Sequence, residues 1–323
     1  MFYSKIKAVG AYVPQNTVTN DDLSKIVDTN DEWISSRTGI KRRHFSTGEN
    51  TSDLAARSAE KILERAGVLP EDVELIIVAS VSADYGTPST ACLVQAKIGA
   101  VNAVAFDIGA ACSGFIFALS TADKFIKSGV YKNALVIGSE VLSKCADFTD
   151  RGTCVLFGDG SGGAFLERSE EVGIIAEDLG SDGARGLSLT LGFKEVVSPY
   201  CEGTRDEHRF IEMDGRAIFD FATRTVPKTI KKILEKADLT TDDVDFVISH
   251  QANARIIEVV SRKIKVPMDK FYLNMDEYAN TSSASIPIVL NEMWEKGIIK
   301  EGNTLLLAGF GAGLTWGSML IKF

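Results

Sequence analysis

The sequence predicts an α/β protein built from a duplicated unit, and two alignments of the chain on itself support that prediction. The segment ERAGVLPEDVELIIVAS (64–80) aligns without a gap on EKADLTTDDVDFVISHQ (235–251). Each segment has the pattern of a helix end, a short acidic turn and a buried strand. In the same register Cys112 aligns on Ser283, and both lie in small-residue stretches before a helical pattern. We therefore expect two halves, each a sheet covered by helices.

The boundary between the halves is expected near residue 173, after the strand pattern GGAFLE, so that they span residues 1–173 and 174–323. A chain of 323 residues is long enough for two domains or one large one. Its 45% hydrophobic and 24% charged residues are ordinary for a soluble globular protein.

Charge and composition argue against several classes of protein. The net charge of −9 argues against general nucleic-acid binding, because phosphate contacts need a basic surface. No apolar run approaches the ~20 residues of a membrane span, and the start, MFYSKIKAVGAYVP, lacks the pattern of a secretory signal. The five cysteines include no C-x-x-C pair and the three histidines lie far apart in the sequence. We therefore expect reduced thiols in a cytoplasmic protein without a metal site.

Cys112 lies in FDIGAACSGF, between a strand pattern and a helical pattern that runs from Cys112 to Ser128 and stops at Gly129. At a helix N-terminus, unpaired N–H groups and the macrodipole would stabilise a thiolate. The small neighbours would let a substrate carbonyl approach, as at the strand-to-helix elbow of serine hydrolases. The alternative is a small buried hydrophobic residue, which is what most free cysteines are. The context favours a nucleophile.

Two further residues are candidates for the same site. His250 ends the buried strand pattern VDFVISH and opens a loop, where catalytic side chains often lie. Asn280 lies in the small-residue stretch YANTSSAS. The alternatives are a structural histidine and a turn asparagine. His44, in KRRH, and His208, in RDEHR, are expected to be solvated.

Two glycine-rich segments resemble nucleotide phosphate loops, but their context does not fit. GFGAGLTWG (309–317) is not expected to precede a crossover helix, since the sequence ends at Phe323. FGDGSGGAF (157–165) joins two strand patterns and is expected to be a tight turn.

Four separated motifs resemble the β-ketoacyl-acyl-carrier-protein synthase III family: Cys112 in DIGAACSGF, His250 in SHQANARI, Asn280 in YANTSSASIP and the final GFGAGLTWGS. The resemblance extends over essentially the full length and includes DEWISSRTGIKRRH and DRGTCVLFGDGSG. It implies the thiolase-like fold, in which two duplicated α/β halves form α-β-α-β-α layers, and it implies a homodimer.

The same resemblance implies a decarboxylative Claisen condensation of an acyl-CoA primer with malonyl-acyl-carrier protein, which starts fatty-acid synthesis. Cys112 would accept the acyl group, while His250 and Asn280 would stabilise the enolate as the malonyl thioester loses CO₂. The N–H of Cys112 and a backbone N–H near Ala312 would form a second oxyanion hole. No metal or organic cofactor is implied. Asn280 at the third position favours the initiating type, since elongating synthases resemble Cys-His-His and thiolases use a second cysteine.

Trp33 and Arg37 are four residues apart on a predicted short helix, NDEWISSRTG, with Thr29 and Glu32 as its expected capping box and Gly39 as its stop. A core tryptophan beside a solvated arginine is the alternative.

The resemblance assigns these residues to coenzyme A. It implies that Trp33 and Arg151 sandwich the adenine and that Arg37 meets phosphate. Phe219 and Asn253 would line the pantetheine channel.

The carrier protein is expected to dock on the helical pattern ARIIEVVSRKIK. Arg255, Arg262 and Lys263 form a basic patch there, and Arg255 and Arg262 share a face. A net-acidic enzyme needs such a patch to attract an acidic carrier, although a solvated helix face is the alternative. Asp220 departs from the family pattern, in which many members have a lysine near the carrier site.

The acyl pocket is expected to be roomy. The resemblance places the residue before PST in the partner subunit's tunnel, where a phenylalanine closes the tunnel in acetyl-selective members. This chain has Thr87 at that point. The alternatives are a turn residue before Pro88, or refilling of the space by Tyr85 or Phe117.

Three rival functions remain open at this stage. A related condensing enzyme of secondary metabolism would use other acyl thioesters. A cysteine hydrolase could also use Cys/His/Asn, but that function explains neither the duplication nor the C-terminal glycine segment. A non-catalytic acyl-CoA-binding protein would be acylated without turnover.

Overall fold

The computed structural model of the protein describes residues 2–201 and 207–323. Numbered in chain order, the strands are β1 (Tyr3–Tyr12), β2 (Thr17–Thr19), β3 (Arg42–His44), β4 (Leu75–Ala79), β5 (Val104–Ile108), β6 (Asn133–Glu140), β7 (Gly160–Ser169), β8 (Ile174–Ser181), β9 (Leu189–Lys194), β10 (Glu207–Met213), β11 (Phe246–Ser249), β12 (Thr304–Gly311) and β13 (Thr315–Lys322). The α-helices are α1 (Asn20–Leu23), α2 (Asp31–Thr38), α3 (Thr51–Ala66), α4 (Thr90–Ile98), α5 (Gly114–Ser128), α6 (Gly215–Ala237), α7 (Ala254–Ile264), α8 (Met275–Tyr278) and α9 (Ser285–Glu295).

Two mixed sheets form the framework. The first has the order β1-β7-β6-β4-β5, with β4 parallel to β5 and β6, and with β7 antiparallel to its neighbours. The second has the order β11-β12-β13-β8, with β11 parallel to β12 and the other pairs antiparallel. The division of the chain near residue 173, between β7 and β8, stays a prediction.

The helices and sheets stack in five layers, which confirms the predicted α-β-α-β-α architecture. The helices α5 and α9 share one apolar core with both sheets. The outer face of the first sheet is covered by α3 and α4, and that of the second by α6 and α7. Along β4, alternate residues therefore enter different cores, with Ile77 facing the central helices and Ile76 facing α3. Burial on both faces explains the continuous apolar run LIIVA.

The structure repeats in the register found in the sequence. The alignment that places Cys112 on Ser283 also places β6 on β12, end to end. It places the 3₁₀ turn Ala111–Ser113 on the 3₁₀ turn Ser282–Ala284, and each turn leads directly into a central helix. Each turn packs on the other half's sheet: a Cβ on Gly138 of β6 would lie 2.3 Å from the Ser283 oxygen, and one on Gly309 of β12 would lie 3.1 Å from the Ser113 Cα. The two turns therefore meet between the sheets.

Three local predictions need correction. Helix α2 is capped by Asn30, whose side chain accepts from the Trp33 N–H, rather than by Thr29, although it does stop at Gly39. The segment 157–165 is not a turn between strands, since β7 begins at Gly160 and residues 151–156 form turns. His44 is buried rather than solvated, because its ring contacts the Pro14 oxygen and the Glu277 carboxylate.

The C-terminal glycine segment connects the antiparallel strands β12 and β13. It therefore does not lead from a strand into a helix, as a nucleotide phosphate loop would, and this prediction is confirmed. In the two ranges that the structure covers, no helix is both long and apolar enough to cross a membrane.

Candidate active site

Cys112 lies in the turn between β5 and α5, with 7% of its surface exposed. The backbone of β12 packs directly against it: a Cβ on Gly311 would lie 2.9 Å from the Cys112 Cβ and 3.1 Å from its Sγ. Any side chain at position 311 would therefore displace the thiol. The sequence indicated that small residues belong here, but only the tertiary contact singles out Gly311.

The expectation that a helix N-terminus stabilises a Cys112 thiolate is wrong. Burial, with a smaller contribution from the nearby Glu140 carboxylate, raises the pKa of the thiol to about 12. The helix α5 begins only at Gly114, so Cys112 lies outside its first turn. The thiol is therefore protonated at neutral pH, and its proton must leave during any reaction at the sulfur.

His250 directly follows β11 and is 1% exposed. Its backbone N–H donates to the Ala308 carbonyl at 2.8 Å, and its Nδ1 lies 2.7 Å from the Ser285 Oγ. The Phe310 ring packs edge-on against the imidazole, with 5.3 Å between ring centroids. Burial lowers the pKa of His250 to about 3, so the imidazole is neutral.

Asn280 is held by hydrogen bonds on both its backbone and its side chain. Its N–H donates to the Leu156 carbonyl at 3.0 Å, and its side chain accepts from the Ser282 N–H at 2.8 Å. Because a backbone N–H can only donate, the accepting atom must be Oδ1. The Nδ2 group of the amide is thereby free to donate elsewhere.

The structure brings Cys112, His250 and Asn280 together on one cavity of about 130 Å³. Phe219 and Asn253 line the same cavity. Apart from His250 and Asn253, these residues lie far apart in the sequence, and their convergence is what the candidate site requires.

A second, smaller cavity of about 60 Å³ lies on another side of Cys112 and has mostly apolar walls. Its lining includes Ala312 of the predicted oxyanion loop, together with Val81, Leu142, Phe157, Leu189, Leu191 and Ile211. Thr87 lines neither cavity of its own chain and is exposed at the surface.

The predicted coenzyme residues also converge. The guanidinium carbons of Arg37 and Arg151 lie 4.6 and 5.2 Å from the centroid of the Trp33 ring. An adenine stacked between Trp33 and Arg151 would need a separation of about 7 Å between the indole ring and the guanidinium, because each stacked contact takes about 3.5 Å. The half-exposed Arg151 side chain must therefore swing outward before a sandwich can form.

Hydrogen bonds connect α2 to the start of α7 and thereby to the buried cavity. The Asn253 Nδ2 donates to the Arg37 carbonyl at 3.1 Å, and the Arg255 guanidinium donates to the Ser36 carbonyl at 2.8 Å. Asn253 thus lines the cavity and also fixes the helix that presents Trp33.

The predicted docking residues are exposed on α7. Lys263 donates to the Thr223 carbonyl of α6 at 2.8 Å, and the Arg262 Nε contacts the Glu258 carbonyl at 3.4 Å. Asp220 is exposed on α6.

Comparison with known proteins agrees with this geometry. A family model described as 3-oxoacyl-[acyl-carrier-protein] synthase III matches residues 106–183, and its C-terminal counterpart matches residues 234–323. The β-ketoacyl-[acyl-carrier-protein] synthase III of Streptococcus thermophilus is 53% identical, and that of Clostridium novyi is 52% identical, each over 100% of both chains.

Solved structures give the same result. The 3-oxoacyl-[acyl-carrier-protein] synthase III of Aquifex aeolicus matches with a TM-score of 0.92 and 44% identity, over 99% of this chain and 100% of that chain. The priming β-ketosynthase of the R1128 polyketide pathway matches with a TM-score of 0.93 and 32% identity, over 99% of this chain and 96% of that one.

The fold and the comparisons define a thiolase-fold condensing enzyme, which is an acyltransferase. Its sequence similarity is full-length rather than confined to one half. The chain belongs to the β-ketoacyl-[acyl-carrier-protein] synthase III family, as the four sequence motifs indicated.

Proposed function

We propose that the protein catalyses the decarboxylative Claisen condensation of an acyl-CoA primer with malonyl-acyl-carrier protein, giving 3-oxoacyl-acyl-carrier protein in the first condensation of fatty-acid synthesis. The observation that supports this proposal is the meeting of Cys112, His250 and Asn280 on one buried cavity. The reaction needs a nucleophile and two neutral hydrogen-bond donors in a dry site, and these residues can supply both. We place the activity in the cytoplasm.

In the first half-reaction, the Cys112 sulfur attacks the thioester carbonyl of acyl-CoA. The bond from that carbonyl to the coenzyme sulfur breaks, and the Cys112 proton ends on the departing CoA thiol. The backbone N–H groups of Cys112 and of the loop at Ala312 would hold the transient oxyanion. Gly311 permits this arrangement, because it leaves the sulfur unobstructed by a side chain.

In the second half-reaction, the malonyl group loses CO₂ and its carbon–carbon electron pair becomes an enolate on the thioester. His250 and the Asn280 Nδ2 donate to the enolate oxygen. The enolate carbon then attacks the acyl-Cys112 carbonyl, and the bond to the Cys112 sulfur breaks. The released sulfur takes up a proton from water. The Phe310 ring beside His250 favours loss of the malonyl carboxylate, since an apolar surface solvates that charge poorly.

Coenzyme A would enter along the surface between α2 and α7. Trp33, Arg37 and Arg151 would bind its adenine and phosphates once Arg151 has moved, and Phe219 and Asn253 would guide the pantetheine to Cys112. Arg255, Arg262 and Lys263 would receive the acidic carrier protein on the exposed side of α7.

We propose that the working form is a homodimer joined along β5. That strand lies at the end of its sheet. Among the strands in the described ranges, it pairs with β4 alone. Val104 at its start is exposed, and an exposed apolar edge strand is prone to pair with another chain. The exposed Thr87 could then enter the partner subunit's acyl cavity. Light scattering at several concentrations tests the dimer, and a monomer would contradict it.

The close match to a priming β-ketosynthase of polyketide synthesis supports one second candidate, a related condensing enzyme that uses other thioesters. Intact-mass spectrometry with a panel of acyl-CoAs, with and without malonyl-carrier protein, separates the functions. Condensation predicts an acyl adduct that disappears with CO₂ release and formation of a 3-oxoacyl carrier. Release of the acyl group as free acid without malonyl-carrier protein indicates a hydrolase. An acyl adduct that persists when malonyl-carrier protein is present indicates an acyl-binding protein.

A further inference from the structure

The hydroxyl of Ser285 lies between His250 and the backbone of Gln251. Its Oγ is 2.7 Å from the His250 Nδ1 and 3.5 Å from the Gln251 nitrogen. Ser285 is buried and is the first residue of the central helix α9. The sequence does not distinguish Ser285 from the other serines in TSSASIP.

The roles of these atoms follow from what each can do. The Gln251 N–H can only donate, so the Ser285 Oγ accepts from it. A hydroxyl has one hydrogen, and leaving it unpaired at this buried position would cost free energy. Among the contacts in the described ranges, the His250 Nδ1 is the partner left to receive it. Nδ1 is then the acceptor nitrogen, and the ring proton must be on Nε2.

The Gln251 donor is itself fixed in place. The Gln251 side chain donates from Nε2 to the Ser249 carbonyl at 2.8 Å and to the Tyr272 carbonyl at 3.3 Å. Its Oε1 accepts from the Asn274 N–H at 3.1 Å. These three side-chain bonds restrain residue 251, whose backbone N–H directs the Ser285 hydroxyl. These contacts explain structurally why a glutamine occupies position 251 in the SHQANARI motif.

We infer that Ser285 is a positioning residue that holds His250 in the tautomer with hydrogen on Nε2, so that the imidazole donates to the substrate oxygen in the cavity. A neutral histidine in the other tautomer would present a lone pair to the developing enolate and would repel it. The inference extends the proposed condensation, in which His250 acts as a donor. In the described part of the chain the cavity lining includes His250 but not Ser285, so Ser285 acts through the imidazole.

Nuclear magnetic resonance of the full-length protein with nitrogen-15-labelled histidine tests the tautomer directly. We expect an unprotonated Nδ1 and a protonated Nε2 for His250, and a mixed or reversed pattern in Ser285→Ala. This measurement needs no substrate, so the tautomer assignment and the proposed condensation can fail independently. A wild-type protein with hydrogen on Nδ1 would overturn the inference.

Kinetics of the two half-reactions provide the second test. We expect Ser285→Ala to lower kcat for malonyl-carrier decarboxylation by about 10- to 100-fold with little change in KM, while acylation of Cys112 stays close to wild type. Ser285→Thr keeps the hydroxyl and should recover most of the decarboxylation. Ser58→Ala, which removes a buried serine hydroxyl from α3, is the matched control and should leave both half-reactions unchanged. Equal losses in both half-reactions of Ser285→Ala, or no loss in either, would contradict the positioning role.

Discussion

The side-chain oxygen of Asn280 accepts a hydrogen bond from the Ser282 N–H at 2.8 Å, which commits the amide to one orientation. The residue at position 282 can offer that N–H because it adopts a left-handed backbone, with φ of 48°. Ala111, which precedes Cys112, has φ of 45° and aligns on Ser282 in the internal repeat. The same unusual turn therefore presents Cys112 in one half and orients the Asn280 amide in the other.

The Asn280 amide gives the first prediction. Asn280→Asp keeps an acceptor for Ser282 but replaces Nδ2 by a carboxylate oxygen, so we expect malonyl decarboxylation to fall by about 10²- to 10³-fold. Cys112 should still accept an acyl group. The two rates are measured by CO₂ release and by intact mass. Equal loss of both rates would count against the division of labour between Cys112 and Asn280.

The exposed cysteines and Cys112 should differ in their reactions with an alkylating reagent and with acyl-CoA. Cys92 and Cys201 are exposed, whereas burial raises the pKa of Cys112 to about 12, so iodoacetamide at neutral pH should modify the exposed pair first. Acyl-CoA should nevertheless acylate Cys112, since binding places the thioester against it. Peptide mapping after each treatment checks both statements, and Cys112→Ala should abolish the acyl adduct. An acyl group found on Cys92 or Cys201 would exclude Cys112 as the nucleophile.

Burial of His250 makes stability depend on pH. The unfolded state binds a proton on this residue near pH 6.5, whereas the folded state does so only near its lowered pKa of about 3. As pH falls between these values, His250 should therefore destabilise the fold by up to about 1.4 kcal/mol per pH unit. Urea unfolding across this range should show a steeper loss in the wild type than in His250→Gln. His208→Gln, at an exposed histidine, should keep the wild-type slope. Equal slopes for wild type and His250→Gln would contradict the prediction.

Charge reversal on α7 tests the proposed carrier-docking surface. Arg262→Glu should raise KM for malonyl-carrier protein several-fold at low salt, because the acidic carrier is steered by exposed positive charge. KM for acyl-CoA should not change. Arg255→Glu should raise both constants, since Arg255 also holds α2 through the Ser36 carbonyl. Lys231→Glu makes the same charge change on α6 and is the control. An unchanged KM in Arg262→Glu would remove this surface from consideration.

The acyl preference tests the role of Thr87 in the proposed dimer. A Thr87→Phe change should narrow the primer range toward acetyl-CoA, whereas Thr87→Val, of similar size to threonine, should not. Each buried CH₂ lost from the pocket costs about 0.8 kcal/mol, which is about fourfold in kcat/KM. The measurement is kcat/KM over a chain-length series for the three proteins. Identical profiles for wild type and Thr87→Phe would show that Thr87 lies outside the tunnel.

The sequence by itself determined the duplication and the order of the main elements. The register of the internal repeat, the buried strand patterns and the glycine stops at Gly39 and Gly129 depend on local periodicity and backbone preference, which are written in neighbouring residues. The motifs around Cys112, His250 and Asn280 likewise indicated the candidate site.

Only the tertiary structure decided the chemical state of that site. A cysteine beside a helix start suggested a thiolate, but the pKa of Cys112 depends on how completely the folded chain excludes water from it. The need for glycine at position 311 and the contact of Ser285 with His250 both come from residues far apart in the sequence. The first contact arises from the packing of the two halves against each other, and the second from the packing of α9 beside β11 within the second half. No local pattern in a single sequence encodes either contact.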